Sequence, residues 1–334
     1  MKRLAKGDGY GNVFFEDVPV PAFGPDQALI KTHTSLISRG SEILRRYRED
    51  GPVDPGIMGY SVAGTVVEAG PEAAAAGFAP GDRVFASAPH AEYVVATADA
   101  AGMRLLRLPD ATPWSRAPFQ SLARGGVAWA VASRARPDDT VVVLGQGLIG
   151  NLVMQAHRAR GVGRVIAVDP LDLRVRCARA AGADVVVHAG EVDAVAEVRR
   201  LTGGAGADVV VDCVGGPPGV QSFQDALAMV KGDGIVHLIG LYHGQPLALD
   251  ASKIQRKMLI GGYHVFDPPR ELSERAAALL ATGQLQVDLL VTHRFPAFRA
   301  PEAFALLDAH TDEALGVLLE WAPDGAASGP ASPP

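Results

Sequence analysis

Residues Thr140–Asp169 read TVVVLGQGLIGNLVMQAHRARGVGRVIAVD, and this stretch decides the fold. It opens on a β-branched apolar run, Thr140–Leu144, of the kind buried on both faces of a parallel sheet. A glycine-rich turn follows, Gly145-Gln146-Gly147-Leu148-Ile149-Gly150, and then a helical pattern that runs to about Arg160. A second apolar run, Arg164–Asp169, ends on an acid about 20 residues beyond the turn. A G-x-G-x-x-G placed between strand and helix, with an acid closing the next strand, is a dinucleotide-binding fingerprint. Gly145 makes the tight turn, Gly147 lets a pyrophosphate approach the backbone, and Gly150 lets the helix pack on the strand. The pyrophosphate then lies at a helix N-terminus, where free N–H groups and the dipole favour an anion. Asp169 suits two ribose hydroxyls and repels a 2′-phosphate, so NAD is expected. NADP stays open through Arg174, on the helix that follows.

The alternation continues outward. The pattern predicts helix Leu171–Ala181, strand Asp184–Val187, helix Val192–Leu201, strand Ala207–Cys213 and helix Gly219–Val230, then strands Gly234–Ile239 and Lys257–Val265. Six apolar strands with helical crossovers describe an α/β, Rossmann-type doubly wound parallel sheet over residues 116–268. Ligands of such sheets lie outside the carboxyl ends of the strands. Val214-Gly215 and Ile239-Gly240-Leu241 are therefore predicted to flank the ribose and nicotinamide.

Residues 1–110 have a different character. Short runs at Gln27–Thr32, Ser61–Glu68, Arg83–Ala86 and Glu92–Ala96 are separated by Gly, Pro and Asp turns, as in a compact β domain. A helix, Trp114–Ser133, leads into the parallel sheet. After it, a helix Arg270–Thr282 and a strand–helix–strand pattern are predicted to rejoin the first domain. The division is 1–115 with 269–323, around 116–268. Residues 324–334 are small and Pro-rich and are predicted to be a disordered tail.

Composition excludes several classes. With 48% hydrophobic residues the chain can build two cores. A net charge of -6 with no basic stripe argues against nucleic acid. No apolar run is long enough to span a membrane, and the N-terminus lacks the apolar core of a signal peptide. The two cysteines, Cys177 and Cys213, form no Cys-x-x-Cys pair, which points away from a disulfide framework and towards the cytoplasm.

In order, EDVPVPAFGPDQALIKTHTSLISRGSE (16–42), MGYSVAGTVVEAG (58–70), GDRVFA (81–86) and HAEYVVA (90–96) precede the fingerprint. With these landmarks the chain resembles the medium-chain dehydrogenase/reductase superfamily of alcohol, polyol and threonine dehydrogenases. The resemblance implies a GroES-like catalytic domain, an active site in the cleft between domains, and hydride transfer between a nicotinamide and an alcohol or carbonyl carbon. It also implies a homodimer or dimer of dimers, joined along strand Lys257–Val265. The ISRGSE variant is similar to members that include hydroxyethyl-bacteriochlorophyllide dehydrogenases.

The resemblance implies zinc ligands at positions where this chain has none. Aligned by the family pattern, Arg39 stands for a ligand Cys, Tyr60 for a ligand His, Ser61 for a Glu, and Gln120 for a carboxylate. Zinc takes thiolate, neutral imidazole or carboxylate, so no zinc is expected. Hydrogen-bond donors and acid–base groups must then handle the substrate oxygen. Tyr60 is expected to exchange its proton, with a phenol pKa lowered by Arg39. Ser41 is expected to relay that proton, Arg39 to carry the oxygen's charge, Glu42 to hold Arg39, and Gln120 to donate from its amide. His90 is weighed as a group facing the cleft, His33 as a distal proton acceptor, and His264 as one reaching the nicotinamide side or a subunit contact. His237 reads as structural, and Cys213, which lines the cofactor region with no paired base in sequence, is not read as a nucleophile.

The function expected is a zinc-independent NAD(P)-dependent alcohol/ketone oxidoreductase for a polar substrate such as a sugar, cyclitol or specialised metabolite. The alternatives are an NADPH-dependent quinone or enoyl reductase and a non-catalytic dinucleotide-binding sensor.

Overall fold

The structure is a computed structural model, and it describes residues 1–241, 246–262 and 267–321. It begins with an antiparallel hairpin of β1 (Lys2–Lys6) and β2 (Val13–Asp17). The long β3 (Gln27–Ile37) organises the next sheet. Along one edge it carries β4 (Val62–Ala69), followed in the sheet by β5 (Arg83–Ala86). A short helix, α1 (Pro71–Ala75), links β4 to β5. Part of the other edge of β3 takes β6 (Tyr93–Thr97), and β7 (Leu105–Arg107) pairs with β5.

One 3-10 turn, Ala117–Phe119, precedes α2 (Gln120–Ala132), so the helix starts later than predicted. Pro113 and Pro118 explain this: each lacks the N–H that an earlier helical start would use. The alternating region then runs β8 (Thr140–Leu144), α3 (Leu148–Ala159), β9 (Arg164–Asp169), α4 (Asp172–Ala180), β10 (Val185–His188), α5 (Ala194–Leu201), β11 (Ala207–Asp212), α6 (Pro218–Met229), β12 (Val230–Leu238), α7 (Ala251–Ile254) and β13 (Met258–Gly261). These strands form one parallel sheet in the order β10-β9-β8-β11-β12-β13. The chain reverses its direction of winding between β8 and β11, which opens a crevice beyond their carboxyl ends. Val141, Val142 and Val143 in β8 and Val209, Val210 and Val211 in β11 are buried. At about 1.5 kcal/mol or more for each buried valine, they fix the turns that follow Leu144 and Asp212.

The chain continues through α8 (Pro269–Ala281), β14 (Val291–Pro296), α9 (Ala300–Ala309) and β15 (Gly316–Glu320). β15 pairs antiparallel with the free part of the β3 edge, from Val317 opposite Ile37 to Glu320 opposite Thr34. The last strand therefore rejoins the first sheet, as the sequence predicts. β12 starts at Val230, earlier than the predicted Gly234, because Val230 pairs with Ala207 across an irregularity in the register. The predicted strand Lys257–Val265 is observed as β13, at the sheet edge. Its last three residues, Tyr263, His264 and Val265, and the predicted tail 324–334 lie outside the described residues. Among the described residues no helix is long and apolar enough to cross a membrane.

Candidate active site

Three turns meet at the carboxyl end of the parallel sheet. In the first, Gly145 has φ +81. A Cβ on Gly150 would lie 1.7 Å from the Gly145 carbonyl oxygen, so α3 can approach β8 only without a side chain there. Gly147 faces open space. The Gln146 N–H donates to Asp169 Oδ2 at 2.7 Å, and its side-chain amide donates to the Val143 carbonyl at 2.9 Å. The second turn carries Val214, whose N–H donates to Asp212 Oδ1 at 3.0 Å. The third is tied to it: the Ile239 and Gly240 N–H groups both donate to the Asp212 carbonyl, and the Gly216 N–H donates to the Leu241 carbonyl. A Cβ on Gly240 would lie 2.2 Å from the Val214 carbonyl, and Gly215 lies against Leu241. Ile239 is buried and Leu241 exposed. Leu148 and Ile149 turn towards the core that contains Leu36, Phe119 and Leu122.

Asp169 is buried. Its Oδ1 accepts from the Leu171 N–H at 2.9 Å, so both carboxylate oxygens already serve backbone amides. Arg174 Nη1 stands 3.5 Å from Asp169 Oδ2, and its Nε is buried with no hydrogen-bond partner. Arg174 thus faces the acid, away from solvent. Together, the open face at Gly147 and this donor beside Asp169 fit a dinucleotide.

The second half of the site comes from the first sheet. After β3 the chain turns into a wide helix, Arg39–Tyr47, where the sequence suggests a ligand loop. Its i→i+5 closure at Arg48 N–H to the Ile43 carbonyl places Ile43 and Tyr47 in the core beside Met58 and Phe304. Glu42 reaches back to the Ser38 N–H at 3.0 Å, as a capping carboxylate does. Its other oxygen meets His90 Nε2 at 2.8 Å, and His90 Nδ1 meets Ser35 Oγ at 2.9 Å. Gly59, at φ +115, packs where a Cβ would lie 2.7 Å from the His90 backbone nitrogen. The next residue, Tyr60, is partly buried and packs against the same core cluster as Leu148 and Ile149. The Tyr60 phenol neighbours the hydroxyls of Ser38 and Ser41 and the charges of Glu42 and Arg46. Burial pushes its pKa up; the two hydroxyls pull the other way, and the Glu42 charge adds to the rise.

Residues 24–110 match the family described as alcohol dehydrogenase GroES-like domain, and residues 149–282 match that described as zinc-binding dehydrogenase. The L-threonine 3-dehydrogenase of Pyrococcus horikoshii is 30% identical over 340 residues, which cover 90% of this chain and 93% of that one. The chain belongs to the medium-chain dehydrogenase/reductase superfamily. An alcohol dehydrogenase of Cupriavidus necator is 27% identical over 364 residues, 92% of this chain and 94% of its own. Among solved structures, the alcohol dehydrogenase of Thermus sp. ATN1 superimposes with a TM-score of 0.83 at 24% identity, covering 96% of this chain and all of that one. The superfamily is one of NAD(P)-dependent oxidoreductases, and the fold class read from the sequence is that of these relatives.

The second family description implies a zinc ion, and the residues that the resemblance aligns with its ligands are not zinc donors. These positions carry a guanidinium (Arg39), a half-buried phenol (Tyr60), a hydroxyl (Ser61) and an amide (Gln120). Zinc takes thiolate, imidazole or carboxylate. Among the described residues no three His, Cys, Asp or Glu side chains gather to hold a metal. The nearest ligand types, Glu42 and His90, are fully buried and bonded to each other.

Several expectations for individual side chains need correction. Glu42 holds His90, not Arg39, because an enclosed carboxylate needs the enclosed imidazole N–H. Arg39 does not lower the Tyr60 pKa; burial raises it, and Arg39 is not among the groups that act on it. The Gln120 amide donor is taken by the Ser273 carbonyl at 2.7 Å, which leaves Oε1 buried without a partner. One Gln120 N–H is thus spent within the protein, and its second N–H and Oε1 are left. His90 is enclosed and does not face the cleft. His33 stacks on Trp114 at 4.3 Å and bonds Thr65 Oγ1 at 3.0 Å, away from Tyr60. His237 is buried mid-strand and meets the Gly262 carbonyl at 2.8 Å. Burial pushes the Cys213 thiol well up, which suits a structural role. His264 lies outside the described residues. What sequence reasoning missed is Ser38, whose neighbour Arg39 drew the attention, and the partner role of His90.

A separate cavity of about 310 Å³ lies at the opposite, amino-terminal edge of the parallel sheet, among Arg134, Arg136, Asp139, Asp208, Lys231 and Asp233. Lys231 pairs there with Asp208, and Asp233 with Arg256.

Proposed function

We propose that the chain interconverts an alcohol and a ketone on a small polar substrate, using NAD(P) and no catalytic metal. The observation that carries this reading is the seat of Tyr60. By resemblance it takes the position of a metal-ligating His; it packs against the core that Leu148 and Ile149 of the glycine-rich turn also pack against, and Ser38 and Ser41 act on its phenol. The glycine turn, Val214-Gly215, Ile239–Leu241 and Asp169 would hold the dinucleotide. When bound, the nicotinamide supplies or takes up a hydride at the carbon bearing the substrate oxygen. Tyr60 gives its proton to that oxygen on reduction, and Ser41 returns a proton to Tyr60. A phenol held protonated is matched to the donor role, so Tyr60 acts most directly in reduction. The hydroxyls of Ser38 and Ser41 and the free Gln120 Oε1 support a polar substrate, as does the likeness to a threonine dehydrogenase. The edge position of β13 supports a homodimer or dimer of dimers joined sheet to sheet.

The test is a panel of polar ketones and alcohols, assayed at the reduced-nicotinamide band with protein whose metal content has been measured. Turnover by metal-free protein is expected. Stoichiometric zinc whose chelation abolishes turnover would refute the proposal. Turnover confined to activated alkenes or quinones would favour an enoyl reductase, and binding without any turnover a sensor.

A further inference from the structure

We propose that four backbone carbonyls form a site for a monovalent cation, that the ammonium of Lys6 fills it, and that the filled site positions the arm of chain carrying Tyr60. The positioning part rests on the reaction proposed for Tyr60; the cation site stands apart from it.

Lys6 closes β1, and only 2% of its surface is exposed. Its Nζ donates to the carbonyls of Gly7 at 2.9 Å, Gly9 at 3.0 Å and Gly51 at 2.8 Å, and to that of Glu49. All four acceptors are main-chain oxygens, and no carboxylate is among them. An ammonium has three hydrogens, so a fourth oxygen exceeds what directed bonding uses. The surplus is the pattern of a cation held by carbonyl dipoles that replace its water, as in the filters of potassium channels. Divalent ions want shorter contacts, about 2.0–2.1 Å for magnesium and about 2.3–2.6 Å for calcium, and carboxylate ligands. The ring is local in sequence, Lys6-Gly7-Asp8-Gly9 facing Glu49-Asp50-Gly51. Gly9, at φ +86, takes the left-handed turn that brings its carbonyl round. Asp8, Glu49 and Asp50, exposed in the same two segments, add negative potential.

The two segments are the turn of the β1–β2 hairpin and the stretch that leaves the wide helix Arg39–Tyr47. Main-chain bonds also join them: Gly9 N–H to the Asp50 carbonyl at 2.7 Å, Gly11 N–H to that of Tyr47 at 3.0 Å, and Val53 N–H to that of Lys6 at 3.0 Å. From Val53 the chain passes Asp54, whose carboxylate caps the turn Pro55–Ile57, and reaches Gly59 and Tyr60. The Met58 carbonyl takes the His90 N–H at 2.7 Å. Lys6 therefore fixes where this arm begins, and His90 where it ends. Enclosed in its ring, Lys6 acts on the reaction through the arm, as a positioning residue.

The test follows thermal unfolding of the full chain in potassium, ammonium or tetramethylammonium chloride at equal ionic strength. Lys6→Ala empties the ring, and Lys6→Met fills it with an apolar group. In tetramethylammonium both variants are expected to lose about 5 °C or more of Tm. Potassium or ammonium should restore Lys6→Ala, increasingly with concentration, and leave Lys6→Met and the wild type, whose site is filled or blocked, unmoved. Lys6→Ala that unfolds alike in all three salts overturns the cation site. Kinetics read the positioning role. Below its Tm and without potassium, Lys6→Ala should show kcat about tenfold lower, recovered by potassium, with affinity for ADP-ribose unchanged. Full kcat in tetramethylammonium overturns the positioning role. A wild type that turns over no polar ketone or alcohol overturns the proposed reaction, and the Tm comparison still decides the site. Should Lys6→Ala fold in none of the salts, reductive methylation of the wild type decides. Lys2, with its side chain 52% exposed, should react and Lys6 should not; equal rates overturn the site.

Discussion

Glu42 and His90 meet at 2.8 Å in a place where neither has exposed surface. The contact ends a buried chain. Trp321 Nε1 is a donor only, so Ser35 Oγ accepts its hydrogen at 3.0 Å. The Ser35 hydroxyl proton then goes to His90 Nδ1, and His90 Nε2–H goes to Glu42, with every group satisfied. The same carboxylate caps Ser38, so this chain sets the floor beneath Tyr60.

Removing His90 should cost more than the bond it makes. His90→Ala strands a buried carboxylate, and about 3–5 kcal/mol of stability is expected to go. Ser35→Ala strands the neutral Trp321 N–H and His90 Nδ1 and should lose less, about 2–3 kcal/mol. Urea unfolding measures both, and a His90→Ala loss no larger than that of Ser35→Ala would show that Glu42 is not dependent on its partner.

Tyr60→Phe should lower kcat about 10²–10⁴-fold and leave ADP-ribose affinity unchanged. Because the phenol pKa is raised above 10.0, chiefly by burial, the Tyr60 contribution to ketone reduction should be flat across neutral pH and fall only in strong alkali. A kcat profile with a Tyr60-dependent ionisation near neutrality would contradict the assignment.

His157 gives the protein an acid-sensitive helix. It is fully enclosed on α3, with Nε2 3.4 Å from Ser133 Oγ. Burial first, then the charges of Arg160 and His237, lower its pKa from 6.5 to about 3. A depressed folded-state pKa means that the unfolded chain takes up the proton first, so this stability is present above pH 6.5 and lost on descent towards pH 3. About 2–3 kcal/mol should disappear between pH 7 and 4.5. In His157→Gln that share of the pH dependence should vanish from urea titrations; an unchanged slope would show that other groups carry it.

Gly59→Ala should damage both fold and turnover. The new Cβ meets the His90 backbone nitrogen at 2.7 Å in a left-handed conformation. A loss of about 1–3 kcal/mol is expected, read as a lower Tm, together with a fall in kcat as Tyr60 shifts. Full activity at unchanged Tm would mean that the turn adapts freely.

The parallel sheet was legible because its signals are local. A run such as Val141–Val143 reports burial on both faces, and Gly150 reports a contact with a residue in its own turn. Strand Arg83–Ala86 matches its prediction to the residue for the same reason. The side-chain roles were less legible. Glu42 finds His90, Gln120 finds Ser273 and Trp321 finds Ser35 only once distant segments are folded together. The residue types at 39, 41, 42, 60 and 120 do not say which donor each one spends, and on whom; tertiary packing sets that.

The pairing of β15 with β3 bears on how the protein is made. The opening sheet has an unfilled edge and Ser35 an unmet partner until residues 316–321 have left the ribosome. The nucleotide-binding half, built from contiguous sequence, can consolidate earlier, while the amino-terminal half waits as an exposed edge that chaperones would have to shield.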